Sequence, residues 1–296
     1  MKYKDGVLMT LTVTKWGGAK KLEAQDLGLK ADEVPEFMRL GKKLLIPKEE
    51  REAFVQTENN ARNALERASF PFPVGGARFV PNKVLMKILQ ELEAYKRVYM
   101  DLAASFRDRY HLIREDMLAK YPEHRDKLEP FYPPVQLLGK RFSFEWAVFV
   151  IEDASYQAKN GEDVAAAYEK FKASLETQFD KFLSDVVIDL RFQVQETCLK
   201  IAERVKAGEI INAHSIGAVH RMIDKFKTLN FIGDQTIESK LEELRGQLNG
   251  GRSAEDFKDE TARQALREAA EAVARQAAEI GDISKITGEY KRRIQL

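Results

Sequence analysis

Apolar residues recur along this chain with two distinct periods. In residues 7–16, Val-Leu-Met-Thr-Leu-Thr-Val-Thr-Lys-Trp, the side chains of Val7, Met9, Leu11 and Val13 share one face and Thr10, Thr12 and Thr14 the other. That alternation predicts a half-buried strand, ended by Gly17-Gly18. A second extended segment covers 70–81, where Pro71, Pro73, Gly75, Gly76 and Pro81 forbid helix and favour a turn between short strands. A third covers 141–151, with Phe142, Phe144, Trp146 and Val148 alternating against Arg141, Ser143 and Glu145. Helical spacing dominates elsewhere. Pro47 suits a first turn, and Phe54, Ala61, Ala64 and Leu65 line one side of a helix over 48–68.

Two much longer helices follow. From Pro81 to about Tyr121, the residues Leu85, Ile88, Leu92, Tyr95, Tyr99, Leu102 and Phe106 step by alternating threes and fours. This heptad seam predicts left-handed pairing with another helix; Arg109 interrupts it and Ile113 resumes it. From Asp163 to about Lys206 the repeat is different. Val164, Leu175, Val186 and Thr197 recur every 11 residues, as do Tyr168, Phe179, Leu190 and Ile201. Such a period favours a straight or slightly right-handed stripe, so the two rods are expected to cross or lie nearly straight. Shorter helices are predicted at 215–229, 236–248 and 254–280, the last opened by a capping-box-like Ser253 and Asp256. That last helix carries nine alanines, with Ala262, Leu266, Ala269, Val273, Ala277 and Ile280 along one side. An alanine seam buries little area, so it needs a partner from the chain or from another copy.

The expected fold is therefore mainly α: two long antiparallel, coiled-coil-like helices with shorter helices and a small antiparallel β-sheet. Three segments are expected: 1–160 with the sheet and first long helix, 161–249 with the second, and an Ala-rich helical segment over 252–296.

Composition narrows the function classes. The 296 residues are 44% hydrophobic and 32% charged, with a net charge of +1, which excludes a disordered chain, a histone-like polycation and an acidic tail protein. One cysteine, Cys198, excludes a disulfide framework and any multi-cysteine metal site. No apolar run reaches signal-peptide or membrane-spanning length, and the expected compartment is a reducing cytoplasm.

Each candidate for chemistry meets a simpler account. Gly17-Gly-Ala-Lys-Lys21 and Gly41-Lys-Lys43 lack the spacing and the hydroxyl of a phosphate-binding loop and read as turns before basic stretches. Ala213-His-Ser-Ile-Gly217 is one substitution from a Gly-x-Ser-x-Gly nucleophile elbow. Its only later histidine, His220, lies on another helical face, so a helix cap by Asn212 or Ser215 explains the segment better than a hydrolase. His214 and His220 are six apart, not the three or four of helical metal pairs, and Cys198 reads as a small buried hydrophobe. The chain is expected not to be an enzyme and to need no cofactor or metal.

Both ends are basic. Lys2, Lys4, Lys15, Lys20 and Lys21 face Asp5 alone over the first 21 residues, and Lys285, Lys291, Arg292 and Arg293 face Glu289 at the other end. Either patch could meet a phosphate backbone, although no recognition helix accompanies them and solvated termini explain them as well. The candidate interaction residues are Trp16, Lys20, Lys21, Lys291, Arg292 and Arg293.

An ordered set of short motifs carries a family resemblance. It comprises Val13-Thr-Lys-Trp-Gly-Gly-Ala-Lys-Lys-Leu, Asp26-Leu-Gly-Leu29, Gly41-Lys-Lys-Leu-Leu-Ile-Pro47, Phe72-Pro-Val-Gly-Gly-Ala-Arg-Phe-Val-Pro81 and Arg141-Phe-Ser-Phe-Glu-Trp-Ala-Val-Phe. Together they resemble an uncharacterised family of bacteriophage and mobile-element proteins encoded beside MoxR/CobS-type AAA+ ATPases. The likeness is close over 7–151, looser over 160–231, and stops before the alanine-rich tail. It implies no catalytic residues. It implies a partner of an ATP-driven remodelling machine, or a protein serving phage or plasmid biology, and the expected place is the cytoplasm of a bacterial host cell. The leading expectation is a non-enzymatic adaptor or assembly protein, self-associating through helical seams as a homo-oligomer and working with an AAA+ ATPase partner, away from membranes. The alternatives are a DNA-associated accessory protein using the basic termini, or a virion or anti-defence component.

Overall fold

A computed structural model describes residues 5–30, 33–35, 38–73, 75–150, 162–249 and 259–295. The Ser253–Asp256 cap, the end of the third extended segment at Ile151 and the link over 151–160 lie outside them. The chain forms two compact units that interleave along the sequence: the first comprises 1–8, 68–85 and 149–296, the second 9–67 and 86–148. Strand β1 (Gly6–Thr14) and helix α2 (Asn82–Lys120) each pass from one unit into the other. Among the described residues no helix is long and apolar enough to cross a membrane.

In the second unit, α1 (Lys48–Arg67) and α2 frame a core with the later part of β1 and with β6 (Ser143–Phe149). Thr14 and Ser143 share a 2.8 Å hydrogen bond where those two strands neighbour each other. The α2 seam buries Ile88, Leu92, Tyr99, Phe106, Tyr110 and Ile113. Its interruption is absent: after Phe106 the stripe steps by four to Tyr110, and Arg109 turns outward to Glu50 on α1, with nitrogen–oxygen distances of 2.6 and 3.0 Å. Nor does one partner helix fill the seam. Phe54 of α1 meets Tyr99 and Phe106 edge-on, and Phe142 and Phe144 reach the same two rings from the β6 side. Burial pushes the Tyr110 and Tyr132 hydroxyls up to about 12. Both are donors in the fold, to the Pro133 and Leu45 carbonyls at 2.8 and 2.5 Å.

In the first unit, β4 (Phe70–Pro71) and β5 (Arg78–Pro81) form the expected hairpin, in antiparallel register Phe70↔Phe79. The start of β1 borders β5, and the Asn82 N–H donates to the Asp5 carbonyl at 2.8 Å. The second rod is α5 (Glu162–Lys206), about 68 Å long at ~1.5 Å per residue. Its described burial follows the 11-residue period: Phe179, Leu190 and Ile201 are buried, as are Leu183, Val194 and Val205. Its neighbours are α6 (Ala213–Leu229), α8 (Glu260–Ala278) and α9 (Ile283–Gln295), with α7 (Gln235–Asn249) packed on α6 and α8. The alanine helix thus finds its mate within the chain. It buries Ala262, Leu266, Ala270, Val273 and Ala277, so Ala270 replaces Ala269 in the seam, and the helix ends before Ile280, which is exposed. Small side chains bring α8 close enough for Arg263 to cap the end of α5, donating to the carbonyls of Val205 and Glu209 at 3.2 and 3.1 Å. The helical segment expected over 252–296 continues past α8 as a separate helix, α9, with Ile283, Ile286, Thr287 and Tyr290 as its buried face.

A buried guanidinium joins these helices. Arg191 of α5 is 1% exposed. It donates to Asp234 at 2.7 Å in the α6–α7 turn, to Asp282 at 2.7 and 2.9 Å in the α8–α9 turn, and to the Glu279 carbonyl. Burial opposes the charge, but the hydrogen bonds to both aspartates outweigh it and hold Arg191 above its ordinary pKa; the same bonds lower Asp282. Asn230 shapes the turn by accepting from the Gly233 and Asp234 N–H groups, at 3.2 and 2.8 Å. Gly233 has φ 87°, and a Cβ there would lie 3.2 Å from Arg293.

Replacing Arg191 by methionine leaves Asp234 charged and buried, so R191M is expected to destabilise the first unit by about 3–5 kcal/mol. Native-state hydrogen exchange of α5, α7 and α9 measures this. Asp282, depressed in the folded state, contributes stability that is full above the usual aspartate range and is lost as pH falls below it; R191M removes that acid-side dependence.

Candidate functional site

A short ribbon in the second unit organises the site. Strands β2 (Ala19–Lys21) and β3 (Lys42–Leu44) pair antiparallel in the register Ala19↔Leu44, Lys20↔Lys43 and Lys21↔Lys42. The ribbon follows the Gly17-Gly18 turn. Gly18 has φ 53°, and a Cβ on it would lie 2.3 Å from Ile46, so only glycine lets the turn close; the Leu45 N–H then donates to the Gly18 carbonyl at 2.8 Å.

The register sets lysine opposite lysine twice, which costs stability on a ribbon this short. One of the four is compensated. Lys43 donates to both oxygens of Asp26 at 2.7 and 2.8 Å and lies 4.1 Å from the centre of the Phe131 ring. Lys43 and the Glu23 N–H hold the Asp26 carboxyl below its usual range. Nearby Lys15 is likewise paired, with Glu58. Burial tends to raise that carboxyl, but hydrogen bonds from Lys15 and Arg62 bring it below the usual glutamate value. Lys20, Lys21 and Lys42 are exposed and have no ion pair among the described residues, and neither has Arg51 of α1.

These four cations line one groove of about 500 Å³ together with Lys15, Trp16, Phe54 and Val55; among the described residues no carboxylate lines it. Trp16 is half-buried. Its ring is backed by Phe106, Tyr110 and Tyr132, with centroids 5.7–6.4 Å away, and it also borders the groove. The fold therefore brings Trp16, Lys20 and Lys21 together and adds Lys42 and Arg51, which the sequence reading did not single out. Gly41-Lys-Lys43 was legible as a basic turn; its pairing with residues 19–21 was the missing step.

The C-terminal candidates belong to the first unit. Lys291 pairs with Asp180 on α5. Arg293 donates to the Phe231 carbonyl at 2.8 Å and lies over the Tyr290 ring at 5.2 Å. Both dock α9. Arg292 is exposed and has no ion pair among the described residues. The elbow-like segment is a helix start: Asn212 is the N-cap of α6 and accepts from the Ser215 N–H at 2.9 Å. The buried Ser215 hydroxyl donates to Asn212 at 3.1 Å and accepts from Arg204 at 2.9 Å. Cys198 is fully buried, and desolvation pushes its thiol up to about 12. Among the described residues no three His, Cys, Asp or Glu side chains are grouped to hold a metal ion.

This architecture defines a mainly helical protein built on two long helices with a small antiparallel sheet. Residues 4–268 match the family described as Protein of unknown function (DUF3150), and the chain belongs to that family. The match extends past residue 231, where the motif likeness gave out, into α8. No curated protein and no solved structure matches the chain.

Because Trp16 is part core, W16A is expected to cost about 2–3 kcal/mol, less than the loss of a fully buried ring. Replacing Lys20, Lys21 and Lys42 by alanine is expected to leave stability within about 0.5 kcal/mol or raise it slightly, by relieving like-charge pairing. Thermal unfolding of the three-lysine variant and of W16A makes the comparison.

Proposed function

We propose that this chain is a non-enzymatic binding protein whose basic groove holds the phosphate backbone of a nucleic acid. The observation that carries this reading is the convergence of Lys20, Lys21, Lys42 and Arg51 on a groove that no carboxylate among the described residues lines, beside an indole. In the same unit, Lys15, which also borders the groove, and Lys43 are matched by acids. Cations opposed across a ribbon with no internal counter-charge suit an external one, and a polyanion that releases counterions on binding supplies it. The site has shifted from the expected one: the N-terminal basic residues contribute, while Lys291 and Arg293 are engaged in docking α9.

Fluorescence anisotropy with a labelled 20-nucleotide strand and the matching duplex tests this. Binding at 50 mM salt is expected to weaken steeply as salt rises, with each phosphate contact contributing about 0.7–0.9 to the slope of log K against log salt. K20A/K21A/K42A is expected to weaken binding at least tenfold and to flatten that slope by about 2. No binding at 50 mM, or binding indifferent to these replacements, ends the proposal.

A second reading, the adaptor that self-associates and serves a MoxR/CobS-type AAA+ ATPase in phage or mobile-element biology, is favoured by one different observation. Ile188, Phe192 and Leu199 share a face of α5 and are all exposed, Phe192 by 61%. An apolar stripe at helical spacing suits another helix. Light scattering is expected to report an oligomer that F192E dissociates; a monomer at micromolar concentration counts against this reading.

A further inference from the structure

A second cavity, of about 600 Å³, opens on the same unit and shares no lining residue with the basic groove. Its apolar wall is built from Leu22, Ile46 and Met117, of which Ile46 and Met117 are buried. Four ammonium groups line it: Lys43, which is engaged by Asp26, and three more from three elements, Lys48 at the start of α1, Lys120 at the end of α2, and Lys127 in the short helix α3 (Arg125–Leu128). Asp26 also lines it, but both its oxygens are occupied by Lys43. Lys48 has an exposed partner one turn on, Glu52, at 3.1 Å, and such a contact is weak in water. Lys120 and Lys127 have no ion pair among the described residues. One further carboxylate, Glu49, lies on the lining, and so does Tyr121, whose side chain is 46% exposed.

The lining thus divides into three chemistries. Cations in excess over available carboxylates select an anion, and more than one ammonium suits a dianionic phosphate better than a lone carboxylate. The apolar wall and the exposed phenol suit a flat organic body, since an inorganic ion gains nothing from Met117 or Leu22. A free carboxylate in an otherwise cationic site is adverse to any bare polyanion, yet it is a good acceptor for sugar hydroxyls. The volume falls within the range of small-molecule sites and is larger than a phosphate needs. We propose that this cavity binds a mononucleotide: its phosphate takes Lys120 and Lys127, its base takes the apolar wall with Tyr121, and Glu49 accepts from the ribose. This site is independent of the groove and of whatever strand the groove holds.

Isothermal titration of the intact chain with AMP, adenosine and inorganic phosphate tests the proposal. AMP is expected to saturate with a Kd below about 1 mM, and adenosine and phosphate are expected to bind at least tenfold more weakly. K120E/K127E, whose exposed positions preserve the fold as judged by circular dichroism, is expected to lose at least tenfold in AMP affinity. K20E/K21E, which disables the groove, is expected to bind AMP as the unaltered chain does, so failure of one site is distinguishable from failure of the other. AMP that fails to saturate by about 5 mM, adenosine or phosphate binding as tightly as AMP, or K120E/K127E binding undiminished overturns the proposal.

Discussion

One guanidinium, shielded from water in the middle of α5, sets the arrangement of the first unit. A buried arginine is costly unless every direction of its planar fork meets an acceptor, and Arg191 finds Asp234, Asp282 and the Glu279 carbonyl. All three acceptors lie in the two turns between helices, so the helices must arrive in positions that deliver the turns to α5. Asp234 serves twice, since it also accepts from the Ile237 N–H at the start of α7, at 3.3 Å. The Phe70, Phe79, Phe182, Phe231 and Tyr290 rings contribute apolar area to this unit, but rings tolerate sliding and a guanidinium fork does not.

The same accounting of charge locates the candidate site in the second unit. Lys43 has Asp26, Lys15 has Glu58, and Arg109 has Glu50. Against that background of matched ions, Lys20, Lys21, Lys42 and Arg51 stand out as cations held together without an acid among the described residues. Exposed lysines are unremarkable singly; what changes their meaning is the β2–β3 register, which holds them side by side at a local cost. On the proposed reading, an anion from outside the chain relieves that repulsion at a groove beside an aromatic ring.

Element existence was largely legible because it rests on local pattern. The long helices over 82–120 and 162–206 follow directly from runs of threes and fours bounded by proline and glycine, and the 11-residue repeat of α5 survives as its line of burial. The short lysine ribbon was not legible: strands of three residues rich in lysine carry no hydrophobic alternation, and their pairing joins positions about twenty residues apart. Helix α9 lies within the helical segment expected over 252–296, but its charges read as a solvated end although Ile283, Ile286 and Tyr290 share a buried face. At Arg109 a strict heptad misled, since a straight helix drifts against a seven-residue repeat and lets Tyr110 take the buried position.

The amino-acid sequence by itself determined the mainly helical class, the two rods, the glycine turns at 17–18 and 75–76, and the helix cap at Asn212, because each follows from neighbours within a turn or two of backbone. Tertiary structure alone decided what the seams pack against, which of the nominated cations are spent on docking α9, and which converge on a groove. Those outcomes depend on side chains far apart in sequence competing for the same few acceptors, a competition that local periodicity does not record.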